Sequence, residues 1–285
     1  MARAPAIDPR WAARARRALA LGHDRPHSEA LLRFYLSLLE LQTKVGHLTD
    51  VDSLMATVAS GGDPDPALRL ERLRVAPLAT GFLEFCRGMP SAAPPPVVAA
   101  ARAAAEAAAA VRTRLLEALL TTADLEATAD KLGCSTAPLT FLARGFLSPV
   151  AEQLAARAVV PAGTRSPTCP ACGWPPQVSK LEDEEGAEGN RRLVCAFCAT
   201  EWAFPRSVCA ACGATGDEGL EFHADEQLTH VRVEACRSCH TYLKAVDRRV
   251  FGFAEPLVED LATPELDLWA AEQGLRKTVP NLLGL

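Results

Sequence analysis

The chain has 285 residues, 49% of them apolar, and a formal net charge of −5. That length suits one large domain or two ordinary ones, and the apolar share supports a sizeable core. No apolar run is long enough for a membrane-spanning helix, and nothing in the composition is collagenous or disordered.

The first stretch, MARAPAIDPRWAARARRALALG, is arginine-rich, but Asp8 and Pro9 interrupt it and no apolar segment leads to a cleavage site. It reads as a helical arm of a mature protein, with the cytoplasm as the expected location. In 27–45, HSEALLRFYLSLLELQTKV, residues Leu31, Phe34, Tyr35, Leu38, Leu39 and Leu41 recur at helical spacing behind a capping Ser28. The next stretch opens on turn formers, DPDPALRL, and regains helical periodicity around Leu68, Leu70 and Leu73. Residues 93–132 begin with prolines and continue as a long alanine-rich body, which predicts a long helix. Phe141, Leu142, Phe146, Leu147, Val150 and Leu154 mark a further helix, or two interrupted near Ser148–Pro149.

This half holds no glycine-rich phosphate loop, no HExxH and no GxSxG. His23, His27 and His47 lack partners at ligand spacing and read as ordinary surface or core histidines. Cys86 and Cys134 read as small buried apolar residues. PAGTRSP, 161–167, has the makeup of a linker.

Composition then changes. Eight of the ten cysteines form four Cys-x-x-Cys pairs: Cys169/Cys172, Cys195/Cys198, Cys209/Cys212 and Cys236/Cys239. CPACG at 169 matches CAACG at 209, and CAFCAT at 195 matches CRSCHT at 236, at offsets of 40 and 41 residues. The match is an internal duplication and predicts the grouping. Cys169, Cys172, Cys195 and Cys198 form one four-thiolate site; Cys209, Cys212, Cys236 and Cys239 form the other. A Cys-x-x-Cys turn brings two sulfurs to one ion, and Gly173 and Gly213 close the turn with φ > 0. Two such turns at the ends of a hairpin make a closed tetrahedral site, structural more than water-activating. Four thiolates suit zinc and rubredoxin-type iron alike.

CRSCH also spells the c-type haem attachment string and contains a thioredoxin-like pair. The duplicated register argues against both, because His240 falls where the first unit has Ala199. His240 is then a surface residue or part of a partner-facing patch with Tyr242 and Lys244. The acidic LEDEEGAEGN, 181–190, fits a solvated hairpin tip. Eight thiolates around two divalent ions would take the net charge from −5 to −9. Such a chain makes a poor nucleic-acid ribbon.

After FGFAEP helical periodicity returns in LVEDLATPELDLWAAEQGL, and the chain ends RKTVPNLLGL. The expected fold is α+β: a helical domain at 1–165, four-cysteine metal ribbons at 166–205 and 206–252, and a C-terminal helix and tail at 253–285.

The helical first half, the order of the four cysteine pairs, CHTYLK and the tail ending PNLLG resemble the formate dehydrogenase accessory protein family, FdhE, across essentially the whole chain. FLEFCRGMPS, 82–91, adds a weaker match. The resemblance implies a cytoplasmic assembly factor, not an enzyme, with rubredoxin-like ribbons associated with iron. It implies contact with the catalytic subunit of respiratory formate dehydrogenase, with no nucleic acid and no membrane insertion. The eight cysteines match the family's metal-binding cysteines. The alternative reading is a rubredoxin-like iron electron-transfer protein.

Overall fold

The computed structural model describes residues 9–46, 50–59, 66–160, 163, 165–184, 186–216, 219–224 and 228–284. The start of the N-terminal arm, His47, the DPD turn, parts of the 161–167 linker and Glu185 of the acidic tip lie outside the described residues.

Eight helices come first: α1 (Pro9–Asp24), α2 (Glu29–Gly46), α3 (Val51–Val58), α4 (Ala79–Arg87), α5 (Pro95–Glu106), α6 (Ala109–Thr121), α7 (Glu126–Leu132) and α8 (Thr136–Ala155). The apolar residues of α2–α8 meet in one core around Phe82, Phe85, Phe146, Leu115, Leu116 and Leu142, while Ala18 and Leu21 of α1 join a separate cluster with Leu32, Tyr35 and Leu39 of α2. The alanine-rich stretch is three helices, not one long one. Ala107 and Ala108 are extended, with ψ of 159° and 152°, and break the run. The side chain of Arg112 collects the carbonyls of Ala104 and Ala105 at the end of α5 and that of Ala107 just beyond it. It satisfies acceptors that a broken helix leaves open.

Helix α8, by contrast, runs unbroken through Pro149. Proline removes the N–H that would bond the carbonyl four residues back. That carbonyl, on Gly145, instead accepts from Gln42 Nε2 of α2 at 2.6 Å. Gly145 also leaves room for Phe85, whose ring would lie 3.3 Å from an added Cβ.

The second half contains β1 (Pro176–Glu184), β2 (Ala187–Cys195), β3 (Glu201–Ala203), β4 (Leu220–Ala224), β5 (Val231–Cys236) and β6 (Thr241–Asp247). Two helices follow, α9 (Pro256–Ala262) and α10 (Pro264–Glu272), and then the short β7 (Arg276–Lys277). The C-terminal segment is therefore a helix pair joined at Thr263 instead of a single helix. Each duplicated unit is a three-stranded antiparallel ribbon, β1–β2–β3 and β4–β5–β6. The ribbons join in one seven-stranded sheet, ordered β3-β2-β1-β6-β5-β4 with β7 against β6. The seam is parallel and pairs Val178 with Lys244, Ser179 with Ala245, Lys180 with Val246 and Leu181 with Asp247.

A buried ion pair crosses the seam. Arg191 of β2 donates to Glu234 of β5 at 2.6 Å, and Ser179 of β1 donates to the same oxygen at 2.9 Å. Arg191 also donates to the carbonyls of Pro205 and Val208 in the connector between the ribbons. No helix among the described residues is long and apolar enough to cross a membrane.

Candidate metal centres

Each Cys-x-x-Cys turn sits beside a strand, which fixes where its sulfurs point. In the first unit Gly173 N–H donates to the Cys169 carbonyl at 2.8 Å, and in the second Gly213 N–H donates to that of Cys209 at 2.9 Å. Both glycines have positive φ, 78° and 77°. The closing turns repeat this with non-glycine residues, Ala199 at φ 53° and His240 at φ 55°. A side chain in the left-handed region carries strain, so the turn geometry prevails over local preference there. Backbone N–H groups face the sulfurs: those of Phe197 and Cys198 toward Cys195 Sγ, and that of Ala211 toward Cys209 Sγ.

The eight cysteines assemble into two groups, Cys169, Cys172, Cys195 and Cys198, and Cys209, Cys212, Cys236 and Cys239; within each all Sγ atoms lie within 4.8 Å of one another. Individual separations are 3.5 Å for Cys169–Cys198 and for Cys172–Cys195, 3.8 Å for Cys209–Cys239 and 3.6 Å for Cys212–Cys236. These are far too long for disulfides. A tetrahedron with metal–sulfur bonds of about 2.3 Å has edges of about 3.8 Å, so both groups fit an ion held by four thiolates. Either group could hold a metal; the donor set does not choose between zinc and iron.

Electrostatics favour a cation in the first group. Burial raises the Cys172 and Cys195 thiols well above their ordinary value, while Cys169 is pulled down by the thiols of Cys172, Cys195 and Cys198 that donate to it. Four thiolates packed together need a positive charge among them. In the second group burial pushes Cys236 up to about 12. Burial also opposes ionisation of Cys239, but the Thr241 hydroxyl and N–H bring it down to about 7. Thr241 Oγ1 lies 2.9 Å from Cys239 Sγ, and Thr200 Oγ1 lies 3.1 Å from Cys198 Sγ in the first group. The duplication aligns these two threonines, and hydrogen bonding to the last thiolate is the role they share.

The two groups differ in their surroundings. All four first-group cysteines are buried in the core shared with the helical body. The backbone of Ala67 and Leu68 donates to the carbonyls of Pro170 and Ala171 in its opening turn. Trp174 stacks on Phe197, inside the Cys195–Cys198 turn, with centroids 4.3 Å apart. At the matching positions the second unit has Ala214 and Ser238, and its Cys212 is exposed.

His240 is exposed, as a surface residue should be, but it does not share a patch with Tyr242 and Lys244. Tyr242 is 4% exposed and Lys244 is 0% exposed. Alternation along β6 does not bring Lys244 to solvent, because α9 and α10 pack over that region. Lys244 Nζ donates to the carbonyls of Asp260 and Thr263 at 2.8 Å and to Asp267 Oδ2 at 2.6 Å. Tyr242 donates to Asp267 Oδ1 at 2.7 Å, and Lys277 completes the cluster 2.7 Å from Asp260. CHTYLK and EDLATPELDLW are thus two halves of one internal joint.

Sequence reasoning missed Arg144 of α8. Its guanidinium donates to the carbonyls of Pro280 and Asn281, to Gln177 Oε1 and to the carbonyl of Ala196 inside the Cys195–Cys198 turn. Burial lowers it to about 10, opposed by its neighbours Cys195 and Asp260. An arginine midway along an apolar helix offers no spacing signal for this role.

A helical body joined to a sheet of two fused four-cysteine ribbons defines a ribbon-type metal-binding protein. Residues 168–206 match the family model described as FdhE, central domain, and residues 208–283 the one described as FdhE, C-terminal domain. Residues 168–283 thus carry the central and C-terminal domains of the FdhE family. A protein FdhE homolog of Aquifex aeolicus is 40% identical over 116 residues, 41% of each chain. One from Actinobacillus pleuropneumoniae is 30% identical over 171 residues, 56% of this chain and 55% of that one. These alignments cover only about half or less of the curated relatives' length. The crystal structure of the FdhE protein from Pseudomonas aeruginosa aligns over 98% of this chain and 97% of that one, with TM-score 0.68 and 26% identity.

Proposed function

We propose that this chain is a cytoplasmic accessory factor for the maturation of respiratory formate dehydrogenase, not an enzyme. It docks the catalytic subunit through the two-ribbon sheet, whose eight cysteines bind two ions, iron or zinc. The observation that carries this reading is the likeness to an FdhE structure over 98% of the chain, together with two four-cysteine groups. The ions act chiefly as folding energy, fixing turns that hold Ala199 and His240 at positive φ. Tagged full-length protein should co-purify with the formate dehydrogenase catalytic subunit, in anaerobic and aerobic lysates. Recovery of none in either would contradict the proposal.

One observation favours a second reading, a rubredoxin-like electron carrier. Cys212 is exposed and Cys239 half-buried, as a thiolate that trades electrons with a partner would be. That reading requires iron in both sites and a reversible visible absorption change on reduction; zinc in anaerobically purified protein removes it.

A further inference from the structure

Polar contacts from three distant parts of the chain converge on Arg144. It is 7% exposed, and its four hydrogen bonds all end on neutral acceptors. Its Nε is buried with no hydrogen-bond partner. Among the described residues no carboxylate lies within ion-pair distance of it. The two acids that line the same small cavity of about 50 Å³ are committed elsewhere. Glu152 pairs with Arg14 at 2.8 Å, and Asp260 lies 2.7 Å from Lys277 and 3.3 Å from Lys244. A buried guanidinium without a counter-charge is strongly disfavoured.

The missing negative charge is next door. Arg144 Nη2 donates at 2.8 Å to the Ala196 carbonyl, between the first site's two closing cysteines. The guanidinium also lies 5.9 Å from the centroid of the Trp174 ring, which stacks on Phe197 of the same turn. A divalent ion with four thiolates carries a charge of −2. Among the described residues the second site has no such arrangement: the residue matching Ala196 is Arg237, on the surface, and it donates to Glu221 at 2.9 Å.

We propose that Arg144 is the buried counter-charge of the first four-thiolate site, a positioning residue that stabilises its metal-loaded form and clamps the Cys195–Cys198 turn and the Pro280–Asn281 tail to the helical body. The proposal rests on reading the first group as a metal site. Occupancy of that site and seating of the tail are then linked, since one guanidinium serves both. A purely structural arginine would support loaded and metal-free protein equally, whereas a counter-charge supports the loaded form more.

The test compares full-length wild type, Arg144→Met and Arg144→Lys, purified without oxygen and loaded with zinc. Zinc release to a chromogenic chelator is followed together with thermal melts of loaded and metal-free protein. In Arg144→Met one of the two ions should leave roughly 10–100-fold faster while the other keeps its wild-type rate. The melting temperature should fall further in the loaded form than in the metal-free form. Arg144→Lys, which keeps the charge, should restore most of the slow release, and it decides the matter if Arg144→Met does not fold. Unchanged release in Arg144→Met, equal loss of stability in both of its forms, or Arg144→Lys releasing as fast as Arg144→Met would overturn the proposal. Wild type that binds fewer than two ions would instead remove the metal-site reading beneath it.

Discussion

Lys244 shows how a charged side chain becomes structural. It sits on a strand that faces two helices, and its ammonium is surrounded by two carbonyls, a hydroxyl and two aspartates. Removing one member of such a cluster leaves the others buried and unbalanced, a loss of about 3–5 kcal/mol. Lys244→Met should lower unfolding free energy by that order in a denaturant titration; a loss under about 1 kcal/mol would mean that the cluster is not energetically coupled. Burial opposes ionisation of Asp260, but Lys244 and Lys277 prevail and hold its carboxyl below its ordinary value of 3.8. A lowered carboxyl contributes stability that is complete above its unfolded value and lost as pH falls through its folded one. Wild type should therefore lose more stability than Asp260→Asn as pH falls below about 4. Parallel curves for the two proteins would refute this. The eight cysteines were legible because a Cys-x-x-Cys turn is a local object and its duplication sets the grouping. The burial of Tyr242 and Lys244 was not, because their partners lie about twenty residues downstream in helices with no motif.

At the level of elements, the N-terminal half follows hydrophobic periodicity except where a distant side chain intervenes. Uniform alanines give no sign that α5 ends at Glu106, and the break rests on Arg112 closing the carbonyls. Pro149 gives a clear sign of interruption, yet α8 continues because Gln42 supplies the missing donor to Gly145. Gln42→Leu should strand that buried carbonyl and cost about 1–3 kcal/mol, visible as a shifted chemical-denaturation midpoint. A neutral result would show that the helix tolerates Pro149 by itself. The ribbons were legible as units from cysteine spacing, but their parallel fusion through β1 and β6 was not. A repeat specifies what each unit contains, not which of its edges the next unit meets.

Across the whole molecule, one core runs from the helices into the first four-cysteine group, while the second group lies on the far ribbon with Cys212 at the surface. The same local chemistry is thus set in two environments, one buried in the core shared with the helical body, the other open. That asymmetry suits a factor with an anchoring site and a presenting site, and it follows from how the two ribbons join in one sheet. Both roles depend on the eight cysteines forming two independent four-thiolate sites. Metal analysis of protein purified without oxygen tests this most directly, comparing wild type with Cys236→Ser. Two ions per chain are expected in wild type and one in the variant, with the helical circular-dichroism signal kept. Two ions retained in Cys236→Ser, or none in wild type, would contradict it.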